Sequence, residues 1–439
     1  MSKLEKYKTY KDSGIHTSIQ LPEHWNIKRF KHLFSFGKGL NITKENLEDT
    51  GIKCVNYGEI HSKYGFEVNP DIHDLKCVNE SYLKKDSKSL LNIGDFIFAD
   101  TSEDVEGSGN FTHLSGDKKI FAGYHTMICR PRKTLDSRYY AYLFDSKSFR
   151  SQLHKKVKGV KVYSITQNIL KDTYVWIPEE KEQAKITSYL DEKTAQIDNA
   201  ISQKEKLIEL LKERRQITIN EAVTKGLNKD VEFKDSGVEW IGEIPKHWET
   251  LPLKACTKLK SIKNVPDLEL LSVYLDLGVI RFQDMEQKRT NATSTDLSAY
   301  QLVEEGDFVL NNQQAWRGSV GVSKYKGIIS PAYIILQLSD KFNYIFANYY
   351  FRNGLTVSQY LINSKGVGTI QRNLYWGSLK QTYISIPPKD EQVQIVEYIE
   401  NQTAKIDKAI ELQQNYIAKL KEYKASLIDS VVTGKVRVA

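Results

Sequence analysis

The most regular pattern of apolar and polar residues in this chain lies between Pro178 and Gly226. Proline suits the start of a helix, and the glutamates that follow it match the helix dipole. Apolar residues then recur at alternating steps of about four and seven, a heptad-like seam: Ile186, Leu190, Ile197, Ile201, Ile208 and Leu211. At 1.5 Å per residue this predicts a helix of roughly 65–70 Å, whose narrow apolar stripe needs a partner helix.

The same pattern returns 209 positions later (387 minus 178), over residues 387–434. The two stretches align without a gap, so Pro387, Glu391 and Gln392 match Pro178, Glu182 and Gln183. The second seam consists of Ile395, Ile399, Ile406, Ile410, Ile417 and Leu420. Two copies of one long helix in a single chain predict an intramolecular antiparallel pair.

Two further motifs repeat ahead of the long helices. Lys-Asp-Ser-Gly occurs at 11–14 and 234–237, and Pro-x-His-Trp occurs at 22–25 and 245–248. The chain is therefore predicted to contain two tandem units, each a variable segment followed by a long helix. The predicted bounds are recognition domains at 1–178 and 233–386, and helical regions at 179–232 and 387–439.

Within the variable segments the pattern is rich in strands. Gly-Asp-Phe at 94–96 and 306–308 indicates a turn before a buried strand, and further strands are predicted at 120–129 and 328–338. Helical periodicity predicts short helices over 137–153 and 342–361. The predicted fold class is α+β, with two recognition domains separated by two long antiparallel coiled-coil helices in a pseudo-two-fold internal repeat.

Composition narrows the function classes. The chain has 439 residues, a formal net charge of +8 and a pI near 8.9, which permits a polyanionic partner without requiring one. The four cysteines lack CxxC or zinc spacing and are predicted to be reduced thiols: Cys54, Cys77, Cys129 and Cys256. Without an apolar leader or a run of membrane-span length, a soluble cytoplasmic protein that binds no membrane is expected.

Each variable segment ends in a basic, glycine-containing loop. Lysine and arginine neutralise phosphates, and glutamine or arginine can bind adenine or guanine edges in bidentate fashion. The candidate DNA-binding residues are Lys158, Lys161, Tyr163 and Gln167 in the first copy and Lys365, Thr369, Gln371 and Arg372 in the second. The alternative is a solvated surface loop, and Asn168 and Asn373 are expected to fold these loops onto the body through side-chain to backbone bonds.

A run of amides follows the Gly-Asp-Phe strand of the second unit. Consecutive amides beside tryptophan and arginine are costly to bury and suited to reading base edges: Asn312, Gln313, Gln314, Trp316 and Arg317. The corresponding first-unit segment, 100–107, is acidic, so it either accepts from a cytosine amine or points away from DNA. Divergence here fits two different half-sites and equally fits unconstrained surface loops.

Motifs for catalysis are not found in the sequence. Residues 38–44 lack phosphate-loop spacing, and residues 386–389 lack the amide and aromatic residue of a methyl-transfer motif. Asp71 and Asp86 imitate a nuclease arrangement by chance, because the second lies in a polar run without strand character. His24 and His247 are expected to cap or pack, with no carboxylate partner nearby. No catalytic or metal site is predicted.

Taken in order, these repeated motifs make the chain resemble the specificity subunit of a type I restriction–modification system, over essentially its whole length. The residues are Lys-Asp-Ser-Gly and Pro-x-His-Trp at both unit starts, Gly-Asp-Phe in both middles, Ile-Pro-x-x-x-Glu-Gln at both helix starts, and Ile-Asp-x-Ala-Ile near positions 197 and 406. The resemblance implies a non-catalytic protein whose two domains each read half of an asymmetric bipartite site in double-stranded DNA.

It also implies that the paired helices act as a ruler and bind two modification (methyltransferase) subunits, which the restriction (translocase and nuclease) subunits join. S-adenosylmethionine, ATP and Mg are then expected on those partners, with no cofactor in this chain. Two alternatives stay open. One is a stand-alone nuclease or DNA methyltransferase with an unrecognised active site, and the other is a coiled-coil scaffold with adhesive domains.

Overall fold

The computed structural model describes residues 5–15, 19–159, 161–265, 267–275, 277–284, 296–367 and 371–438. The chain divides into two compact units, one formed by Met1–Lys204 with Gln414–Ala439 and the other by Glu205–Gln413. Each unit includes one of the predicted recognition domains and one end of each long helix. Among the described residues, no helix is both long and apolar enough to cross a membrane.

The first unit is a mixture of short strands and helices. Its strands are β1 Tyr10–Asp12, β2 Gln20–Pro22, β3 Asn26–Arg29, β4 Phe34–Lys38, β5 Ile52–Val55, β6 Phe66–Val68, β7 Cys77–Val78, β8 Phe96–Ala99, β9 Thr101–Ser102, β10 Phe111–Leu114, β11 Phe121–Ala122, β12 Thr126–Pro131, β13 Tyr163–Ser164 and β14 Tyr174–Ile177. Its short helices are α1 Phe30–Leu33, α2 Tyr57–Ser62, α3 Tyr82–Lys85, α4 Ser137–Asp145, α5 Lys147–His154 and α6 Gln167–Lys171, and α7 Glu180–Lys225 begins here.

The second unit repeats this mixture. Its strands are β15 Phe233–Asp235, β16 Glu243–Pro245, β17 Glu249–Pro252, β18 Thr257–Lys260, β19 Leu271–Tyr274, β20 Gly278–Arg281, β21 Gln301–Val303, β22 Asp307–Asn311, β23 Val320–Val322, β24 Gly327–Ile329, β25 Tyr333–Leu338, β26 Ser364–Val367, β27 Gln371–Leu374 and β28 Tyr383–Ile386. Its helices are α8 Tyr344–Phe351, α9 Gly354–Ile362, α10 Trp376–Leu379 and α11 Lys389–Val432.

The two units share one sheet order. In the first unit the main sheet runs β4-β12-β8-β10-β6, and in the second it runs β18-β25-β22-β23. The central strands pair antiparallel in both, and the additional β6 pairs parallel with β10. The strand after Pro-x-His-Trp pairs with the strand that precedes the long helix, as β3 with β14 and as β17 with β28. These matches confirm the α+β class and the internal repeat.

Both long helices form where the sequence predicts them. Helix α7 has 46 residues and α11 has 44, which corresponds to about 66–69 Å each. Gly226, directly after α7, has φ +74°, the left-handed conformation that glycine adopts most readily at a helix end. Each helix begins two residues after its proline.

The predicted seam is the buried face of these helices. Within the first unit, Ile186, Leu190, Ile197 and Ile201 of α7 pack in one core with Leu427 and Ile428 of α11. Within the second unit, Ile395 and Ile399 of α11 pack with Ile219 and Val223 of α7. Ile208 and Ile406 are also buried, while the remaining seam residues are half-buried: Leu211, Ile410, Ile417 and Leu420.

Ion pairs across the helices repeat in the two units. In the first unit Lys424 Nζ lies 2.7 Å from Asp198, and in the second Arg215 Nε lies 3.4 Å from Asp407. These four residues are exchanged by the 209-residue shift, since Asp198 matches Asp407 and Arg215 matches Lys424. The pairing is antiparallel within each unit, as predicted, because residues later in α7 meet residues earlier in α11.

The Gly-Asp-Phe motif has a structural role. Asp95 and Asp307 are buried, and each accepts from the backbone N–H three residues earlier, at 2.9 Å and 2.8 Å. A cation from another strand of the same sheet balances each charge: Arg130 of β12 lies 3.0 Å from Asp95, and Lys260 of β18 lies 2.6 Å from Asp307. Burial raises the pKa of Asp95. The motif therefore fixes the turn before the central strand in both units.

Several local predictions need correction. The helices predicted over 137–153 and 342–361 are each two helices, because Ser146 and Asn353 cap a second helix through side-chain bonds to backbone N–H groups. The loop predicted over 365–373 is instead the hairpin β26–β27. The four cysteines are free, and all four are buried.

Candidate nucleic-acid interface

The repeated Pro-x-His-Trp motif of the first unit is held by Glu182 in the first turn of α7. Trp25 Nε1 and His24 Nε2 both donate to Glu182 Oε2 at 3.0 Å, and Tyr7 Oη donates to Oε1 at 2.6 Å. Trp25 is fully buried. The start of the unit is therefore fixed to the start of its long helix.

The second unit repeats this arrangement with Glu391. Trp248 Nε1 donates at 3.1 Å and His247 Nε2 at 2.7 Å. The prediction that both histidines lack a carboxylate partner is wrong, because the carboxylate comes from a helix more than 140 residues away in the chain. The role of the motif is nevertheless structural. In each unit, the histidine and the tryptophan both bond the glutamate carboxylate and so attach the domain to its long helix.

The glutamine after each glutamate explains the rest of the helix-start motif. Gln183 Nε2 donates to the carbonyl oxygen of Pro178 at 2.8 Å, and Gln392 Nε2 donates to that of Pro387 at 2.9 Å. Both glutamine side chains are buried. The contacts that repeat in both units, made by the glutamate, the glutamine and the Gly-Asp-Phe motif, are called the frame below. Because the frame has a structural role, the residues that differ between the units are the candidates for DNA reading.

In the second unit the two predicted binding segments lie side by side. The backbone N–H of Leu374, in β27, donates to the carbonyl oxygen of Asn312 at 3.0 Å. The amide run and the β26–β27 hairpin therefore form one continuous surface, which is called the second-unit interface below. Asn312 Oδ1 and Arg372 Nε are buried atoms without a hydrogen-bond partner among the described residues, a costly arrangement that a bound polar group would relieve.

A short 3-10 turn, Ala315–Arg317, orders the aromatic part of this surface. Trp316 Nε1 donates to the carbonyl oxygen of Gln313 at 3.0 Å, and the guanidinium carbon of Arg317 lies 4.6 Å from the Trp316 ring centroid. Gln313 and Arg317 are exposed, whereas Gln314 and Trp316 are half-buried. The turn thus presents an amide and a stacked guanidinium to solvent.

The hairpin contributes a second cation. Lys365 is exposed, and its Nζ lies 5.5 Å from the ring centroid of Tyr375. Arg372 is half-buried, and its Nη2 donates to the carbonyl oxygen of Ser364 at 3.1 Å, which ties the two strands together. Thr369 lies outside the described residues, and Gln371 is described only as the first backbone position of β27.

In the first unit the basic and acidic segments also meet. Strand β13 pairs with β9, so Tyr163 stands opposite Ser102 and Ser164 opposite Thr101. Lys158 and Lys161, just before β13, are exposed. The surface formed by residues 100–107, 155–159 and 161–164 is called the first-unit interface below.

The acidic segment, residues 100–107, is held in place by side chains from helices α2 and α5. His61 Nε2 donates to the carbonyl oxygen of Thr101 at 2.8 Å, and Arg150 Nη1 donates to that of Glu106 at 3.1 Å. His154 Nε2 bonds the carbonyl oxygen of Ser108 at 3.0 Å. An unconstrained surface loop would lack such support, so this segment is an ordered part of the domain.

Two further first-unit predictions are refined. Gln167 begins helix α6, and its Nε2 donates to the carbonyl oxygen of Gly37 at 3.2 Å. Thr166, rather than Asn168, makes the side-chain to backbone bond, because its hydroxyl accepts from the N–H of Ile169. In the second unit, Asn373 lies in strand β27 opposite Lys365.

Sequence reasoning missed several residues at the first-unit interface. A cavity of about 830 Å³ is lined by Tyr57, His61, Asn110 and His125 together with the acidic segment. A neighbouring cavity of about 670 Å³ is lined by residues 38–42 and Gln167. The histidines carried no usable signal because they are far apart in sequence, and residues 38–44 were considered only for phosphate-loop spacing.

The nuclease-like pattern of Asp71 and Asp86, which was attributed to chance, does not form a site. Asp71 pairs with Lys118 at 2.8 Å, and Asp86 lies between α3 and a 3-10 turn, so neither carboxylate belongs to a strand. Across the described part of the chain, no group of three or more His, Cys, Asp or Glu side chains could hold a metal ion.

The chain is similar to known proteins over nearly its whole length. The family model for the type I restriction modification DNA specificity domain matches residues 22–211 and 245–422. The type I restriction enzyme MjaVIII specificity subunit of Methanocaldococcus jannaschii is 24% identical over 455 residues, covering 99% of this chain and 98% of that protein. The EcoKI specificity subunit of Escherichia coli K12 is 21% identical, covering 95% and 90%.

Solved structures share the fold. A chain from a study of complex assembly and conformational transition of the type I R-M system has a TM-score of 0.65 at 16% identity, covering 95% of this chain and 99% of that one. The HsdS subunit from Thermoanaerobacter tengcongensis has a TM-score of 0.50 at 17% identity, covering 95% and 98%. This chain, with one matching domain in each half, belongs to the type I restriction–modification DNA specificity family.

Proposed function

We propose that this chain is the DNA-reading subunit of a type I restriction–modification complex and that each unit reads one half of a bipartite site. The observation that carries this proposal is the contrast between frame and surface. The glutamate, glutamine and Gly-Asp-Phe contacts repeat in both units, whereas the two interfaces differ in charge and backbone. Equal frames with different surfaces suit two different half-sites.

The two interfaces suggest different reading chemistry. The second-unit interface offers Gln313, Arg317 and Lys365, which suit base edges and phosphates. In the first-unit interface, Lys158 and Lys161 suit phosphate contacts, and the ordered acidic segment suits a cytosine or adenine amine. Arg372, which ties its own hairpin, is less suited to bidentate guanine reading than the exposed Arg317.

The outer faces of the long helices support a role in subunit assembly. In the second unit Leu207, Leu210 and Ile217 lie on one exposed face of α7, and in the first unit Tyr416 and Tyr423 are exposed on α11. Because the seam already buries the opposite face, these residues form an exposed stripe within each unit that is available to a partner helix. We propose that two modification subunits bind these faces and that restriction subunits join the complex.

In this account the chain itself is not catalytic and works in the cytoplasm. S-adenosylmethionine, ATP and Mg would belong to the partner subunits. The test is reconstitution: the purified chain alone should neither methylate nor cleave DNA, and with modification subunits it should direct methylation of one bipartite sequence. Methylation or chelator-sensitive cleavage by the chain alone would instead favour a stand-alone enzyme.

Assembly has its own control. Leu210→Glu places a charge in the proposed stripe and should reduce co-purification of the modification subunits. Gln216→Glu adds the same charge at an exposed position on another face of α7 and should leave assembly unchanged. If both variants co-purify the modification subunits equally well, the exposed stripe is not part of the subunit interface.

A further inference from the structure

One histidine at the first-unit interface has a backbone conformation that residues with a side chain rarely adopt. His125, directly before β12, has φ +54°, in the left-handed region that favours glycine. Its carbonyl oxygen accepts from the backbone N–H of Asp100 at 3.0 Å, which helps to hold this conformation. Strained residues of this kind persist only where the surrounding structure fixes them, and they cluster at ligand-binding and active sites. His125 is therefore a candidate for a functional role.

Asp100 lies beside this histidine. His125 Nδ1 is 3.3 Å from Asp100 Oδ1, and the two side chains are 56% and 34% exposed. Although Oδ1 is buried close to the imidazole, it makes no hydrogen bond within the described part of the chain, so Oδ2 is the oxygen that solvent reaches. The backbone of Asp100 is fixed, because its carbonyl oxygen accepts from the N–H of Ile165 at 2.8 Å. An accessible acceptor and a half-exposed imidazole thus stand side by side.

The pair lies where two cavities of the first-unit interface meet. His125 lines both the cavity of about 830 Å³ and the cavity of about 670 Å³, and Asp100 lines the second. Two aromatic rings orient the imidazole, since the ring centroids of Tyr57 and Tyr124 lie 5.3 Å and 5.9 Å from its own, both edge-to-face. A ligand that covers this surface would therefore meet a donor and an acceptor in fixed positions.

Lysines lie at both cavities. Lys38, at the end of β4, is exposed and lines the smaller cavity together with Asp100 and His125. The exposed Lys161 precedes Val162, which lines the larger cavity. Lysines in these places suit the phosphates of a DNA duplex, and phosphate contacts position the duplex so that side chains between them can reach base edges. The charges around the pair therefore favour DNA as the ligand.

Resting on the proposed function, we infer that Asp100 and His125 together read one adenine of the first half-site in the major groove. Adenine presents there an acceptor, N7, beside a donor, the N6 amine. An imidazolium donates from both ring nitrogens, so Nδ1 faces the Asp100 carboxylate while Nε2 donates to N7, and Asp100 Oδ2 accepts from N6. The pair supplies the donor and the acceptor that one asparagine or glutamine amide supplies in bidentate adenine recognition. Guanine would instead place its O6 acceptor against the carboxylate.

The test uses the complex of the full chain with modification subunits, after its methylated sequence has been mapped. The first half-site is the half that changes when residues 26–177 are exchanged. Each of its adenines is replaced in turn by 7-deazaadenine, which lacks the N7 acceptor, or by purine, which lacks the amine. At one position, loss of a single hydrogen bond should weaken binding by the wild-type complex about two- to tenfold with either analogue. Guanine at that position should weaken binding about 5- to 150-fold.

Two variants separate the two roles. His125→Gly removes the imidazole but suits the left-handed backbone, so a loss of binding would not reflect misfolding. This variant should bind the natural site more weakly and lose its response to 7-deazaadenine at that position, while it still responds to purine. Asp100→Ala should lose the response to purine instead. His32→Ala is the control, because His32 is an exposed histidine of α1 that lines neither cavity, and it should keep both responses.

A first half-site without adenine on either strand would overturn the inference. So would a wild-type complex that is indifferent to both analogues at every adenine, or a His125→Gly variant that keeps the wild-type response to 7-deazaadenine at each of them. Failure of the proposed function is distinguishable from these outcomes, because no bipartite methylated sequence would then be mapped at all.

Discussion

Replacing Glu182 by alanine removes the acceptor shared by three side chains at the start of the first unit. The Glu182 side chain is only 11% exposed, and the indole N–H of the fully buried Trp25 would be left without a partner. Burial, the hydrogen bond to Glu182 and its charge raise the pKa of Tyr7, so this hydroxyl also remains a donor that needs an acceptor. His24, nearly half exposed, would bond water instead.

The expected cost follows from these contacts. A buried donor without an acceptor costs about 1–3 kcal/mol, and loss of a hydrogen bond to a charged group costs about 1.5–3 kcal/mol. These ranges overlap, because both describe the loss of the Trp25 and Tyr7 bonds. We therefore expect Glu182→Ala to lower the free energy of local unfolding of the first unit by about 2–4 kcal/mol.

Hydrogen–deuterium exchange resolves the two units, whereas a single melting transition of a two-unit protein would not. Amides of β1, β2 and the first turns of α7 should exchange about thirtyfold to several hundredfold faster, at a factor of ten per 1.4 kcal/mol. Glu182→Gln keeps one acceptor oxygen and should show a smaller effect. Glu391→Ala, which loses two donors at a site 20% exposed, should show a smaller effect confined to the second unit.

Unchanged exchange in the first unit of Glu182→Ala would refute this reasoning. The repeated Pro-x-His-Trp motif would then need a role other than attaching each domain to its helix. Equal acceleration in both units would also contradict it, because the contacts of Glu182 lie within the first unit.

Three further predictions concern the helices and the interfaces. Inserting four helix-forming residues after Ala200 adds roughly 6 Å of rise, so the half-sites should prefer a spacer longer by about one to two base pairs, read by mapping methylated sites. Arg317→Ala should cost ~1–3 kcal/mol and relax one base position, whereas Lys158→Ala should weaken binding to all sequences and flatten its salt dependence. Hydrogen–deuterium exchange of the first unit should show that Ile197→Ala in the seam costs about 2–5 kcal/mol, whereas Lys424→Ala at the exposed ion pair costs at most about 1 kcal/mol.

The outcomes that would contradict these three predictions are equally direct. They are an active insertion variant with the original spacing, an Arg317→Ala variant with unchanged affinity and selectivity, and an Ile197→Ala variant no less stable than Lys424→Ala.

The long helices could be predicted from sequence because their signals are local and repeated. Proline at the start, a continuous apolar seam and glycine at the end act within a few residues, and the 209-residue shift gives an internal control. The positions of Ser146 and Asn353, which divide two predicted helices, were equally local but were overlooked because periodicity continues across them.

The interfaces were less accessible because they depend on distant partners. Tyr163 and Ser102 pair across about sixty residues, and His61 reaches the same segment from a third part of the chain. The basic and amide-rich stretches are visible in the sequence, but the hydrogen bond from Arg372 to its own hairpin is not.

The central claim is that each unit reads its own half-site, and it is tested most directly by exchanging one domain. Residues 26–177 are replaced by the equivalent segment of a related specificity subunit, and methylated sites are mapped in cells that contain the matching modification subunits. One half of the bipartite sequence should change while the other half and the spacer stay the same. A change in both halves together would contradict it.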